Sequence, residues 1–176
     1  MKKDFVSHNK EQIMSQVYLL LGSNLGNRPY FLSKAILSIN KYIGTVQKRS
    51  QVYETEPWGF EHPTMFLNMV ILVKTQLEPY QVLDHMLSIE SEIGRQRDES
   101  NGYEARSIDI DILFYDSMIL KDTKLTIPHP KLHERKFTLV PLSEIAPNLN
   151  HPVLQKTIRQ LLAECNDKNN VELFHV

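Results

Sequence analysis

Cysteine is nearly missing from this sequence. Cys165 is the only one among 176 residues, so no intrachain disulfide can form and no cysteine-based metal site can be assembled. That composition fits a reducing compartment. Charge imbalance is missing too. With 20 Lys and Arg against 21 Asp and Glu, the net charge of −1 sets up no field that recruits nucleic acid or an anionic membrane. Any electrostatics at a site must be local. No apolar run approaches the roughly 20 residues a membrane span needs. The opening M-K-K-D-F-V-S-H-N-K-E-Q lacks the continuous apolar core of a signal peptide. These absences predict a cytoplasmic protein. Internal repeats and low-complexity linkers are absent as well. Residues 1–16, polar and aperiodic, read as an extension ahead of a single domain over 17–176, a length that supports one substantial core.

What is present centres on Arg106 to Phe114, R-S-I-D-I-D-I-L-F. Ile108, Ile110 and Ile112 alternate with Asp109 and Asp111. On a strand the isoleucines face a core while the two carboxylates stand on the other face, their Cα atoms about 6.6 Å apart. Two readings fit: an amphipathic edge strand with solvated acids, or a carboxylate pair for hard cations bridged to phosphate oxygens.

Earlier in the chain, Val17–Leu21 has a strand's length and no helical period. It runs into G-S-N-L-G-N, turn formers without the Lys-Ser/Thr ending of a P-loop, so a Walker-type site is rejected and the loop is expected to shape a pocket floor. Pro29–Ile43 carries a 3.6-residue stripe (Phe31, Leu32, Ala35, Ile36, Ile39, Ile43) and predicts an amphipathic helix. Thr45–Thr55 reads as one strand. It leads into E-T-E-P-W-G-F-E-H-P, a loop in which Trp58 either serves a ligand or caps the core edge. Phe66–Thr75 is a long apolar strand interrupted by Asn68, which must bind backbone or read a ligand's amide-like edge. Pro79 opens a second helix, ending at Gly94, that points Glu90 toward its packed side, where a carboxylate needs a partner. Arg95 to Arg106 is either a solvated loop or a lid that brings Arg95 and Arg97 onto anionic oxygens. His129 sits between two prolines near Arg135, structural or functional. Residues 131–149 read as short helical turns, Val153–Glu164 as a third helix and Val171–Phe174 as a short strand. Strand, helix, strand, strand, helix, strand followed by an αβ appendix predicts an α+β, ferredoxin-like split βαβ sandwich with a mainly antiparallel sheet.

L-G-S-N-L-G, Y-E-T-E-P-W-G, F-L-N, I-E-x-x-I-G-R-x-R, A-R-S-I-D-I-D-I-L, L-T-I-P-H-P, H-E-R-x-F and P-L-S-E-I-A-P, in this order over Val17–His151, resemble the 6-hydroxymethyl-7,8-dihydropterin pyrophosphokinases of folate synthesis. The resemblance implies transfer of the β,γ-diphosphate of ATP to the pterin hydroxymethyl group, with release of AMP. It implies two Mg²⁺ ions on Asp109 and Asp111, with Arg95 and Arg106 stabilising the transferring group. The pterin would stack between Phe66 and Phe137, and be read by Asn68 with backbone from Thr55 through Pro57 to Trp58. ATP would meet Glu90, Arg97, Arg106, Ile112, Lys124, Thr126, His129 and Arg135. Partners would be these small molecules, without nucleic acid or membrane, and the enzyme a monomer or homodimer. The sequence departs from the family pattern at Tyr103-Glu104-Ala105, at Leu87 and at Pro130. Two other classes compete: an RNA-binding domain, which should show aromatic central strands and a basic face, and a catalytically dead relative, which should have lost the aspartates or arginines.

Overall fold

The run Val17–Leu21 forms the middle of strand β1 (Ser15–Ser23), which starts two residues before the apolar stretch. In this computed structural model, which describes residues 14–94 and 106–175, β1 is paired on both edges and covered on both faces. That is why its sequence is continuously apolar rather than alternating. Helix α1 (Arg28–Tyr42) follows, capped by the Asn27 side chain, which accepts from the Tyr30 N–H at 3.2 Å. The remaining strands and helices are β2 (Thr45–Arg49), β3 (Tyr53–Thr55), β4 (Phe66–Thr75), α2 (Pro79–Glu92), β5 (Asp109–Tyr115), β6 (Leu120–Lys121), β7 (Thr126–Ile127), α3 (Lys136–Ile145), α4 (Ile158–Glu164) and β8 (Val171–Leu173). A 3₁₀ turn, Leu132–Glu134, precedes α3.

The main sheet has the order β5-β1-β4-β3-β8, with β2 pairing β4 beside β3, and every pairing is antiparallel. The strand that follows α1 thus lies two places from β1 with β4 inserted between them, the split βαβ arrangement expected. Helices α1 and α2 bury Leu32, Ala35, Ile39, Val82, Met86 and Ile89 against one face. Helices α3 and α4 cover the other with Leu139, Leu142, Ile158 and Leu161. The segment that reads as an appendix is therefore the second layer of the sandwich, and β8 extends the sheet edge.

Three sequence readings need correction. Thr45–Thr55 is two strands, not one. Between the pairs Arg49↔Ile71 and Tyr53↔Asn68, three residues face two, so one is extra. Ser50 fills the break: its N–H donates to Val70 O at 2.9 Å and its Oγ accepts from Val70 N at 3.0 Å. The third helix begins at Ile158 rather than Val153, because Gln155 has φ 54° and Thr157 with Gln160 forms a capping box there. Residues 131–149 hold one ten-residue helix, α3, beside the 3₁₀ turn rather than a string of short turns.

Gly44 links α1 to β2 where a Cβ would lie 2.1 Å from the Lys74 carbonyl oxygen. Backbone cannot yield as a side chain can. Gly44→Ala should lower stability by about 1–3 kcal/mol in urea unfolding; a change below about 0.5 kcal/mol would contradict this packing.

Candidate active site

The sheet's second face is left uncovered at one end, and strand register decides what stands there. Gly22 of β1 is opposite Asn68 of β4 on one side and Asp109 of β5 on the other. Adjacent strands are about 4.8 Å apart, so an amide and a carboxylate flank a bare glycine across about 10 Å. Asp111 follows on the same face, opposite Leu20. A Cβ on Gly22 would stand 2.8 Å from Asn68 Oδ1, so a larger residue in this floor would displace the amide.

Above this floor is a cavity of about 480 Å³, within the range of small-molecule sites. Among the residues singled out from the sequence, Thr55, Trp58, Phe66, Asn68 and Phe137 line it toward Asn68. Arg106, Asp109, Asp111, His129 and Arg135 line the other part. Pro57, Glu90, Ile112, Lys124 and Thr126 are not in its wall. Ile112 packs into the core on the opposite face of β5. Glu90 is buried, and its Oε1 accepts from Ile110 N at 2.8 Å, which is one partner that its buried carboxylate required. Lys124 is exposed. Arg95, Arg97 and the Tyr103-Glu104-Ala105 departure lie outside the described residues. Gly22 lines the floor as its loop was expected to, Glu56 falls within the Thr55–Trp58 segment, and Leu20 and Phe60 line the cavity without having been singled out. Leu20 was findable: once β1 is paired, the inward alternation of Asn68 and Asp109 selects it.

The aromatic part is rigidly built. Asn68 Nδ2 donates to Thr55 Oγ1 at 2.7 Å, which orients the amide. Phe60 meets Phe66 edge-on at 6.1 Å. The Arg135 guanidinium lies 4.8 Å from the Trp58 ring and 5.6 Å from Phe137, tying the Trp58 loop to the start of α3. Trp58 is thus a cavity wall rather than a cap on the core.

The charged part is tuned by burial. Arg106 Nη1 is 2.9 Å from Asp109 Oδ1. Burial, and then the neighbouring Asp109 charge, push the Asp111 carboxyl up to about 7, against the opposing pull of Arg135. His129 is held down to about 4, chiefly by burial and then by Arg135. Its Nδ1 accepts the Lys131 N–H at 3.2 Å, so the neutral ring carries its proton on Nε2. These shifts oppose one another in their effect on stability. Between about pH 4 and 7 the folded chain keeps a proton on Asp111 that the unfolded chain has released, so stability falls as pH rises through that window. Between about 6.5 and 4 the folded chain refuses a proton on His129 that the unfolded chain takes up, so stability falls as pH drops.

An aromatic slot with an oriented amide is joined here to a carboxylate pair beside arginines, an arrangement with one surface suited to a flat ring and another suited to charged groups. Comparison with known proteins gives the family. The family model of 7,8-dihydro-6-hydroxymethylpterin-pyrophosphokinase matches residues 18–147. The 2-amino-4-hydroxy-6-hydroxymethyldihydropteridine pyrophosphokinase of Aquifex aeolicus is 40% identical, over 86% of this chain and 92% of its own. That of Porphyromonas gingivalis is 43% identical, over 79% and 95%. A Plasmodium falciparum HPPK-DHPS crystal structure superposes with a TM-score of 0.72 at 20% identity, over 89% of this chain. This chain spans 45% of that larger one, and the likeness supports the fold. The chain belongs to the 7,8-dihydro-6-hydroxymethylpterin-pyrophosphokinase family. It is an ATP-using pyrophosphokinase of folate biosynthesis, and the RNA-binding reading is set aside.

Carbon-detected NMR of the metal-free protein should show Asp111 titrating near pH 7, with the midpoint lowered by Asp109→Asn, which removes a like charge. An Asp111 midpoint near 4 would contradict the burial described here.

Proposed function

We propose that the cavity binds the dihydropterin over Gly22 and the ATP phosphates over β5, and carries the β,γ-diphosphate from ATP to the pterin hydroxymethyl oxygen. The register Asn68–Gly22–Asp109 carries the reading, because it sets an amide-edge reader and a metal-type carboxylate at the two ends of one small acceptor. Phe66 and Phe137 supply the ring faces. Asn68, fixed by Thr55, supplies the hydrogen-bonding edge, with Thr55, Pro57 and Trp58 alongside.

The donor set on β5 fits Mg²⁺. Two adjacent carboxylates from one strand, with the rest of the coordination left to phosphate and water, is how this cation is usually held in phosphate chemistry. Asp109 and Asp111 would hold two such ions. When bound, they neutralise charge on the triphosphate oxygens. The protein's own share is positioning and charge compensation, the terms that dominate phosphoryl-type transfer. Arg106, already paired with Asp109, and Arg135, stacked at the slot, would compensate charge on the anionic oxygens. Neutral His129 presents Nε2–H as a donor without adding charge. Arg95 would act with Arg106 on the transferring group, and Arg97, Glu90, Ile112, Lys124 and Thr126 would complete the ATP site. Residues 17–176 would form the single catalytic domain, working in the cytoplasm as a monomer or homodimer, without nucleic acid or membrane. The net charge of −1 supports the reading without nucleic acid, and among the described residues no helix is long and apolar enough to cross a membrane.

Asp109→Asn and Asp111→Asn should each cut turnover by about 10²-fold or more, while the melting temperature of Asp111→Asn holds or rises, since it removes one of two crowded like charges. Activity within about threefold of wild type in both would overturn the carboxylate assignment.

A further inference from the structure

Arg28 is outside the cavity wall, yet it bonds the residues next to two that form the cavity's aromatic end. It is the first residue of α1, placed by the Asn27 cap and followed by Pro29. Side chains on a helix lean toward its N-terminus, so Arg28 leans out past the start of α1 rather than back along it. Its Nη1 donates to Glu54 Oε1 at 2.7 Å and to Met65 O at 2.8 Å. Its guanidinium carbon lies 5.8 Å from the centre of the Phe174 ring. Both partners of the ion pair are shielded from water, Arg28 more than Glu54, so it is screened less than a surface pair.

Strand alternation converts these contacts into positions in the cavity. Glu54 and Thr55 are neighbours on β3 and point to opposite faces of the sheet. Register pairs Glu54 with Leu67 and Thr55 with Phe66. Leu67 belongs to the core under α1 and α2, so Glu54 stands on that face, while Thr55 and Phe66 stand on the cavity face. A guanidinium that holds Glu54 and Met65 O together therefore fixes the Thr55–Phe66 pair from behind. Phe66 is one ring wall of the slot, and Thr55 Oγ1 orients the Asn68 amide. The last strand backs the same place: Val171 of β8 pairs with Thr55, and the Phe174 N–H donates to Val52 O at 2.9 Å.

We propose that Arg28 is a positioning residue for the dihydropterin. From the face opposite the cavity it holds Phe66 and Thr55, and through Thr55 the Asn68 amide, in one fixed arrangement that a flat ring can meet all at once. The clamp is complete before any ligand binds, so its contribution is preorganisation: ordering that the ligand would otherwise have to impose. The carboxylates of β5 are two strands from β4 and are not held by it. That role rests on the reading above, in which the aromatic end takes the dihydropterin.

Steady-state kinetics on the full chain separate this role from a merely structural one. Arg28→Ala should raise KM for the dihydropterin about tenfold, with KM for ATP within about twofold and kcat within about threefold of wild type. Glu54→Ala, which leaves the Met65 arm, should raise the dihydropterin KM about fivefold. Glu54→Gln keeps an oxygen for Nη1 and should stay within about twofold of wild type. The double variant Arg28→Ala with Glu54→Ala should be no worse than Arg28→Ala alone, since the two share one interaction. Ile39→Val, a core change in the same helix, should lower stability in urea and leave both KM values within about twofold. If Arg28→Ala does not fold, the two Glu54 variants carry the same comparison.

An unchanged dihydropterin KM in Arg28→Ala and Glu54→Ala, an equal rise in both KM values, or a rise in Ile39→Val matching that in Arg28→Ala would each overturn the clamp. Asn68→Ala separates the two levels. If it raises the dihydropterin KM while Arg28→Ala does not, the clamp alone fails. If neither does, the acceptor-site reading fails with it.

Discussion

Everything at the site depends on β1 being hydrogen-bonded along both edges. A strand locked between β4 and β5 cannot slip by one residue without turning its core face to the cavity. That constraint places Gly22 between Asn68 and Asp109, and Leu20 beside Asp111. The site residues need not be close in sequence, because two ladders align them. A glycine at the crossing point leaves the cavity floor bare, and a methyl there would push into the Asn68 amide.

The same face that supplies geometry also supplies electrostatic tension. Burial, and then the charge of Asp109 two residues away, raise the affinity of Asp111 for a proton. Arg106 and Arg135 offset part of that cost, and cations with a polyphosphate would offset the rest. Under the proposed function, cations and polyphosphate would bring the charges that this part of the cavity balances. Arg135 has a second function in the packing, since its guanidinium joins the Trp58 loop to Phe137 while remaining in the cavity wall.

Much of this was legible in the sequence, for identifiable reasons. Ile108 to Ile112 alternate with Asp109 and Asp111 at the period of a strand, and both acids stand on the cavity face. Asn68 stood out as a polar interruption in an apolar strand, and it is a buried amide oriented by Thr55. Less visible was whatever depends on pairing partners. Ser50 breaks a strand by bonding both backbone groups of Val70, which no local propensity announces. Gly22 and Asn24 read as turn formers, yet one is a steric requirement set by Asn68 and the other a buried tie between segments 38 and 82 residues away. The start of the last helix was misplaced for a local reason, Gln155 in the left-handed region, that only the backbone reveals.

Product analysis tests the central claim most directly. The chain, incubated with ATP, Mg²⁺ and 6-hydroxymethyl-7,8-dihydropterin, should form AMP and the pterin diphosphate in equal amounts, each requiring both substrates. Release of ADP, or AMP formation without a pterin product by folded protein, would contradict diphosphate transfer at this site.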